Sequence, residues 1–294
     1  MGHPIAFKQI VHTWMYGNLE IEPIAKSIRR IGLDGADLSV SNTDAHNHIS
    51  LFENINLKEI FERNGVAINI MSALMYSDDV DMSSNDPAIR ENAKKYVKRL
   101  VALSAKVQCK RVLVVPSWIS GNHRYHVSRE EDWKMAVESL RELASFSDSY
   151  GITLMIEPVN RYRVGLVHTI SEAIKMISDI GLPGVSIVPD TFHMNIEEAN
   201  DIPAALIYGG KYIKALHIGE NNRRAPGSGA LDWPAILLAL KKIEFDGCLS
   251  HEPVSLYFDQ YKVASDPERL MAFEHELSTS AEYLRRCMED LSER

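Results

Sequence analysis

The stretch 153-TLMIEPVNRYRVGLVHTISEAIKMISDIGLPGVSIVPD-190 decides the fold. It opens on a short apolar run that closes on Glu157. It then passes through a helix pattern over 171–180 that stops at Gly181, and ends on a second apolar run that leads to Asp190. A helix ended by glycine and followed at once by a Val/Ile run reads as one strand–helix–strand unit. Near-continuous apolar runs suit strands buried on both faces of a parallel sheet.

The unit recurs along the chain. Strand-like runs lie at 5–11, 35–40, 67–71, 111–115, 153–157, 185–189, 213–218 and 248–252. Between them, 87–107 carries Ala93, Tyr96, Val97, Leu100 and Leu103 at helical spacing, with Asp86 as its cap and Pro87 at its first position. The pattern over 128–150 starts with the capping box Ser128-Arg-Glu-Glu131 and stops at Gly151. Further helices are expected over 233–243, behind Asp232, and over 267–291. Eight strand–helix repeats fit a closed barrel or a doubly wound sheet. No Rossmann glycine fingerprint follows the first strand, so the expectation is one (β/α)8 TIM barrel domain over 1–294. The longest insertions, 72–85 and 117–127, follow strands, which puts them on the catalytic face of such a barrel.

Composition narrows the function. With 45% hydrophobic and 24% charged residues, the chain can bury a large core. A net charge of -8 and no Lys/Arg run argue against a nucleic-acid partner. Cys109, Cys248 and Cys287 form no CxxC pair and no even set, which favours a reducing compartment. No signal peptide is read at the start, and no run nears the roughly 18 apolar residues of a membrane helix. The expectation is a soluble, cytoplasmic protein.

Four metal-ligand types stand at the ends of the last four strand runs: Glu157, Asp190, His217 and Glu252. A βα unit is roughly 30 residues, and each of these residues arrives about one unit after the last. In a barrel that brings all of them to one mouth. Three carboxylates with one imidazole suit Mn, Mg or Co and would make an unusual structural zinc site. Without a cation between them, close carboxylates would repel one another.

Around these residues the chain resembles a known family. The stretches Glu157-Pro-Val-Asn-Arg161, Asp190-Thr-Phe-His-Met-Asn-Ile-Glu-Glu198, His217-Ile-Gly-Glu-Asn-Asn-Arg-Arg-Ala-Pro-Gly-Ser-Gly229 and Phe245-Asp-Gly247 with Glu252-Pro253 are similar to those of ketose 3-epimerases of the D-tagatose/D-psicose type. These enzymes sit within the sugar isomerase/epimerase barrel superfamily. The likeness spans most of the chain and is sharpest over 132–253. It implies one divalent ion, Mn2+ or Co2+ with Mg2+ as an option, held by Glu157, Asp190, His217 and Glu252. It also implies that Glu157 and Glu252 move the C3 proton of a ketose through a cis-enediolate. His193 and Arg223 match the substrate contacts of that family. A homodimer or homotetramer is implied, and the partner is a small sugar.

One position departs from the pattern. Where the family often has a second glutamate beyond the Asn-Arg pair, this chain has Arg163. Two readings stand: Arg163 reads an anionic group of the substrate, or it pairs with a neighbouring acid, the second being slightly favoured. Phe7, His12 and Trp14 at the first strand and Trp118 in the fourth loop are candidates for an apolar wall beside the sugar, with core packing weighed equally. His46, His48, His123 and His126 are read as exposed loop residues rather than a second metal site. Arg224 is read as a loop anchor, and Pro226-Gly-Ser-Gly229 as a loop-shaping turn. Competing functions are an aldose–ketose isomerase on the same site, a non-catalytic sugar-binding barrel and an abasic-site endonuclease.

Overall fold

The computed structural model describes residues 6–43, 46–117, 119, 125–254 and 266–293. In chain order its elements are β1 (Lys8–His12), a 3-10 turn (Thr13–Tyr16), α1 (Ile21–Ile31), β2 (Gly35–Ser41), α2 (Ile49–Glu53), α3 (Leu57–Arg63) and β3 (Ala67–Leu74). Then come α4 (Pro87–Lys106), β4 (Arg111–Val114), α5 (Arg129–Ser149), β5 (Thr153–Ile156), α6 (Ile170–Ile180), β6 (Val185–Ile187), α7 (Thr191–Glu197) and α8 (Ile202–Gly209). A second 3-10 turn (Gly210–Tyr212), β7 (Leu216–Ile218), α9 (Trp233–Lys242), β8 (Cys248–His251) and α10 (Pro267–Ser292) complete the list.

The eight strands are parallel and ordered β6-β5-β4-β3-β2-β1-β8-β7. The seam between β6 and β7 closes through the isolated bridges Ile187↔Ile213 and Asp190↔His217. The sheet is therefore a (β/α)8 barrel, and two of the expected ligands face each other across its seam.

β6 ends at Ile187, two residues short of the expected run. Pro189 has no N–H to extend a ladder, although its carbonyl accepts from His217 N at 2.9 Å. β7 is shortened to Leu216–Ile218, and Ile213 is joined only by its bridge.

The caps fall where the sequence places them. Asp86 accepts from Ala88 N at 2.8 Å, and Ser128 accepts from Glu131 N at 3.2 Å. Each such cap contributes about 1 kcal/mol. Gly181 takes a left-handed conformation at φ 69°, which only glycine adopts without cost.

The core has two layers. Ile10, Ile70, Leu113, Met155, Val188 and Ala215 fill the inside of the barrel as one cluster. A larger cluster lies between strands and helices and includes the fully buried Trp233, Phe52 and Phe61. Inside the barrel, Asp37, Ser72, His217 and Ser250 are buried and joined by hydrogen bonds to Asp37, forming a polar group. Among the described residues no helix is long and apolar enough to cross a membrane. Cys109, Cys248 and Cys287 are free and buried.

Candidate metal and sugar site

Parallel strands all point one way, so residues that close them gather at one mouth. Glu157 follows β5, Asp190 follows β6, His217 lies in β7 and Glu252 follows β8. One ligand atom from each lies within 4.8 Å of the others, and all four residues are buried. Asp190 also caps α7, its Oδ1 accepting from Phe192 N at 2.8 Å.

The imidazole of His217 is oriented from behind. Its Nε2 lies 2.8 Å from Asp37 Oδ2, so Nε2 carries the hydrogen and gives it to the carboxylate. Asp37 is fully buried in β2 and also accepts from the hydroxyls of Ser72 and Ser250. The other ring nitrogen, Nδ1, lies 3.0 Å from Glu252 Oε2 and 3.4 Å from Glu157 Oε1. Neither Nδ1 nor Glu252 Oε2 has a hydrogen-bond partner, and both are buried. Buried polar atoms that converge without satisfying one another are what a cation would join. The donor set fits a divalent ion of the Mn, Co or Mg kind.

Charge supports the same fit. Arg223 bonds Asp190 Oδ2 and lies 3.1 Å from Glu252 Oε1. One guanidinium cannot balance Glu157, Asp190, Glu252 and Asp37. The metal-free centre responds by holding protons. Burial drives Glu157 up to about 7, and the nearby Glu252 and Asp190 charges add to the rise against His217. Burial opposes protonation of His217, but Glu252 and Asp37 outweigh it and hold the ring well above the usual histidine range. Burial also disfavours the Glu252 anion, yet Arg223 and His217 keep that carboxyl well below the usual range. Metal binding must displace the His217 proton.

Glu252 is further fixed by Trp14, whose Nε1–H donates to Oε1 at 2.6 Å. Trp14 thus makes a polar contact in the site and also packs against the core. His12 is buried beside Asp37 and donates to or accepts from Ser39 Oγ through Nδ1 at 3.1 Å. Burial lowers its pKa and keeps the ring neutral. His193 lies 3.7 Å from Asp190 Oδ2 through Nε2, while its Nδ1 meets Asn160 Nδ2 at 2.7 Å. Burial pushes its pKa down to about 4, so it stays neutral near pH 7.

The loop carrying Arg223 is shaped by Glu220. This fully buried carboxylate accepts from Gly227 N at 2.8 Å, Leu231 N at 3.1 Å and Trp233 Nε1 at 2.7 Å. Gly227 sits at φ 90°, so the Pro-Gly-Ser-Gly segment is a turn, as expected. Arg224 lies 4.0 Å from Glu276, consistent with a loop anchor.

Two expectations are corrected. Phe7 is not at the mouth. It precedes β1 at the opposite end of the barrel, with its ring 5.6 Å edge-on to Phe245 and its N–H on Met288 Sδ. An aromatic side chain before the first strand packs the floor. Arg163 makes no ion pair with any described acid, and Glu197, the acid that the loop does engage, is held by Arg161. His126 is an exposed loop residue, as expected, and its Nε2 meets the buried Asp81 Oδ2 at 2.6 Å. His48 caps α2 by accepting from Ser50 N at 3.2 Å, and His46 is exposed. Trp118 and His123 lie outside the described residues. Sequence reasoning missed Asp37 and Glu220; a lone carboxylate inside the apolar strand 35–41 was the available signal for the first.

Residues 25–286 match the xylose isomerase-like TIM barrel family model. The chain is 31% identical to the D-psicose 3-epimerase of Ruminiclostridium cellulolyticum over 234 residues, 79% of this chain and 76% of that one. It is 27% identical to the D-psicose 3-epimerase of Agrobacterium fabrum, across 86% of this chain and 85% of the relative. The crystal structure of D-psicose 3-epimerase with D-tagatose from Clostridium cellulolyticum H10 superposes with a TM-score of 0.81 at 25% identity, covering 96% of this chain and 99% of that one.

Proposed function

The chain belongs to the xylose isomerase-like TIM barrel family and is a carbohydrate epimerase of the ketose 3-epimerase type, and from that premise we propose how it works. It inverts C3 of a ketose with the help of one divalent ion, Mn2+ or Co2+ with Mg2+ as the alternative. Glu157, Asp190, His217 and Glu252 hold the ion. The observation behind this is the convergence of four ligand atoms within 4.8 Å around the unpartnered His217 Nδ1 and Glu252 Oε2.

When bound, the ion supplies positive charge that stabilises an enediolate across C2 and C3. The chain's residues do the rest. Glu157 and Glu252 stand at the two ends of the ligand arc, on β5 and β8, so each can face one side of the sugar. One takes the C3 proton and the other returns a proton to the opposite face. Trp14 and Arg223 hold the Glu252 carboxylate in place through Oε1. Neutral His193, set by Asn160, and Arg223 orient the sugar hydroxyls near C1 and C2. A cytoplasmic homodimer or homotetramer completes the proposal.

The test is turnover. Protein reloaded with Mn2+ or Co2+ converts D-fructose, D-tagatose or L-ribulose to the C3 epimer, and EDTA stops it. Conversion to an aldose instead would favour the isomerase on the same ligands.

A further inference from the structure

Among the described residues, Arg161, Arg163 and Arg223 stand on loops at the mouth, and Arg161 and Arg223 are locked. Arg161 holds both oxygens of Glu197, at 3.0 Å through Nε and 2.6 Å through Nη2. Arg223 holds Asp190 and Glu252. Arg163 is exposed and forms no ion pair with any described residue; only its backbone N–H is engaged, on Asn160 O at 2.9 Å.

The segment that carries Arg163 is anchored on both sides. Before it, Asn160 holds His193 through Nδ2 and accepts from Tyr162 N at 3.0 Å. After it, Val164 is buried against Val115 and Val159 at the strand ends. The guanidinium thus projects from a fixed support at the rim. Tyr76, two residues past β3, lies at the same end of the barrel and is half exposed. Desolvation pushes its phenol up to about 12, the Glu252 and Glu157 charges add to the rise, and Arg163 and Arg223 oppose it.

An anionic substrate would be repelled by the carboxylates of the centre and needs a cation away from it. The locked arginines offer none. From this geometry we infer that the substrate is a ketose whose end remote from C3 bears a carboxylate or a phosphate, bound at the rim by Arg163 with the Tyr76 hydroxyl as a second donor. A guanidinium presents paired donors that match either oxyanion. The inference rests on the epimerase reading above and names the class of sugar it acts on.

The test compares kcat/KM of the Mn2+-loaded protein for neutral D-fructose and D-tagatose, for the C6 carboxylates D-fructuronate and D-tagaturonate, and for D-fructose 6-phosphate. One anionic class exceeds the neutral ketoses by about tenfold or more, and which class does so identifies the oxyanion. Arg163→Gln lowers that anionic-to-neutral ratio by about tenfold, chiefly through KM, and Arg163→Lys restores part of it. Neutral ketoses turned over as well as or better than both anionic classes overturn this inference alone. A ratio unchanged in Arg163→Gln also overturns it. Inversion of no ketose at all sinks the epimerase reading, and this inference with it.

Discussion

His217 gives its Nε2 hydrogen to Asp37 Oδ2 at 2.8 Å, while its Nδ1 lies 3.0 Å from Glu252 Oε2 with no hydrogen bond between them. The pair fixes which nitrogen is free. A buried carboxylate behind the ring selects the tautomer whose lone pair points at the ligand cluster. The residue behind the metal ligand is thus as much a part of the centre as the ligand.

Asp37→Asn tests that link. An amide in place of the carboxylate no longer selects the tautomer. Mn2+ affinity should fall by about 10- to 100-fold, measured by titration with detection of free Mn2+ by electron paramagnetic resonance. Circular dichroism guards against a folding defect. Unchanged affinity in a folded variant would remove Asp37 from the account.

Acid should loosen the metal. In the metal-free protein Glu157 is raised from 4.5 to about 7 and His217 is raised above 6.5. Both bind protons in the folded state that the unfolded chain releases. The Glu157 contribution to stability is fully present below 4.5 and is lost as pH climbs through about 7. The His217 contribution is lost at higher pH still. Glu252 is depressed, so its contribution has the opposite sign and is lost as pH falls below 4.5. Between pH 6 and 8 the metal-free protein therefore loses stability from this cluster. Bound Mn2+ replaces those protons. The rise in Tm on adding Mn2+ should be larger at pH 8 than at pH 6; an equal or smaller rise would contradict the protonation scheme.

Trp14→Phe removes one of two donors on Glu252 Oε1 and keeps the ring. Metal stoichiometry should stay at one per chain, while kcat falls by about tenfold. A loss of metal with kcat per metal unchanged would show that Trp14 only shapes the ligand.

Glu220→Ala leaves one buried donor, Trp233 Nε1, and two part-buried donors, Gly227 N and Leu231 N, without their carboxylate partner. An unpaired buried donor costs about 1–3 kcal/mol, so urea unfolding should report a loss of more than about 1 kcal/mol. Glu220→Gln should retain part of it. A loss within about 1 kcal/mol would mean that water substitutes for the carboxylate.

The strands were legible because burial on both faces writes Val, Ile and Leu runs, and the long helices because their caps and apolar stripes recur. α7 was not, since seven residues give too few turns for a period to emerge. The four proposed ligands showed as a group through their spacing, which is the length of a βα unit. Asp37 did not, because its partner His217 is 180 residues away and nothing local ties them. Arg163 could not be resolved from sequence either. Which of two arginines takes Glu197 depends on the path of the loop, and Arg161 takes it.

The most direct measurement follows solvent deuterium. Mn2+-loaded protein is incubated with a ketose in D2O, and the label is located by NMR. The account predicts deuterium at C3 with that centre inverted, and almost no label in Glu252→Gln. Label confined to C1 or C2, or full turnover by Glu252→Gln with metal bound, would contradict it.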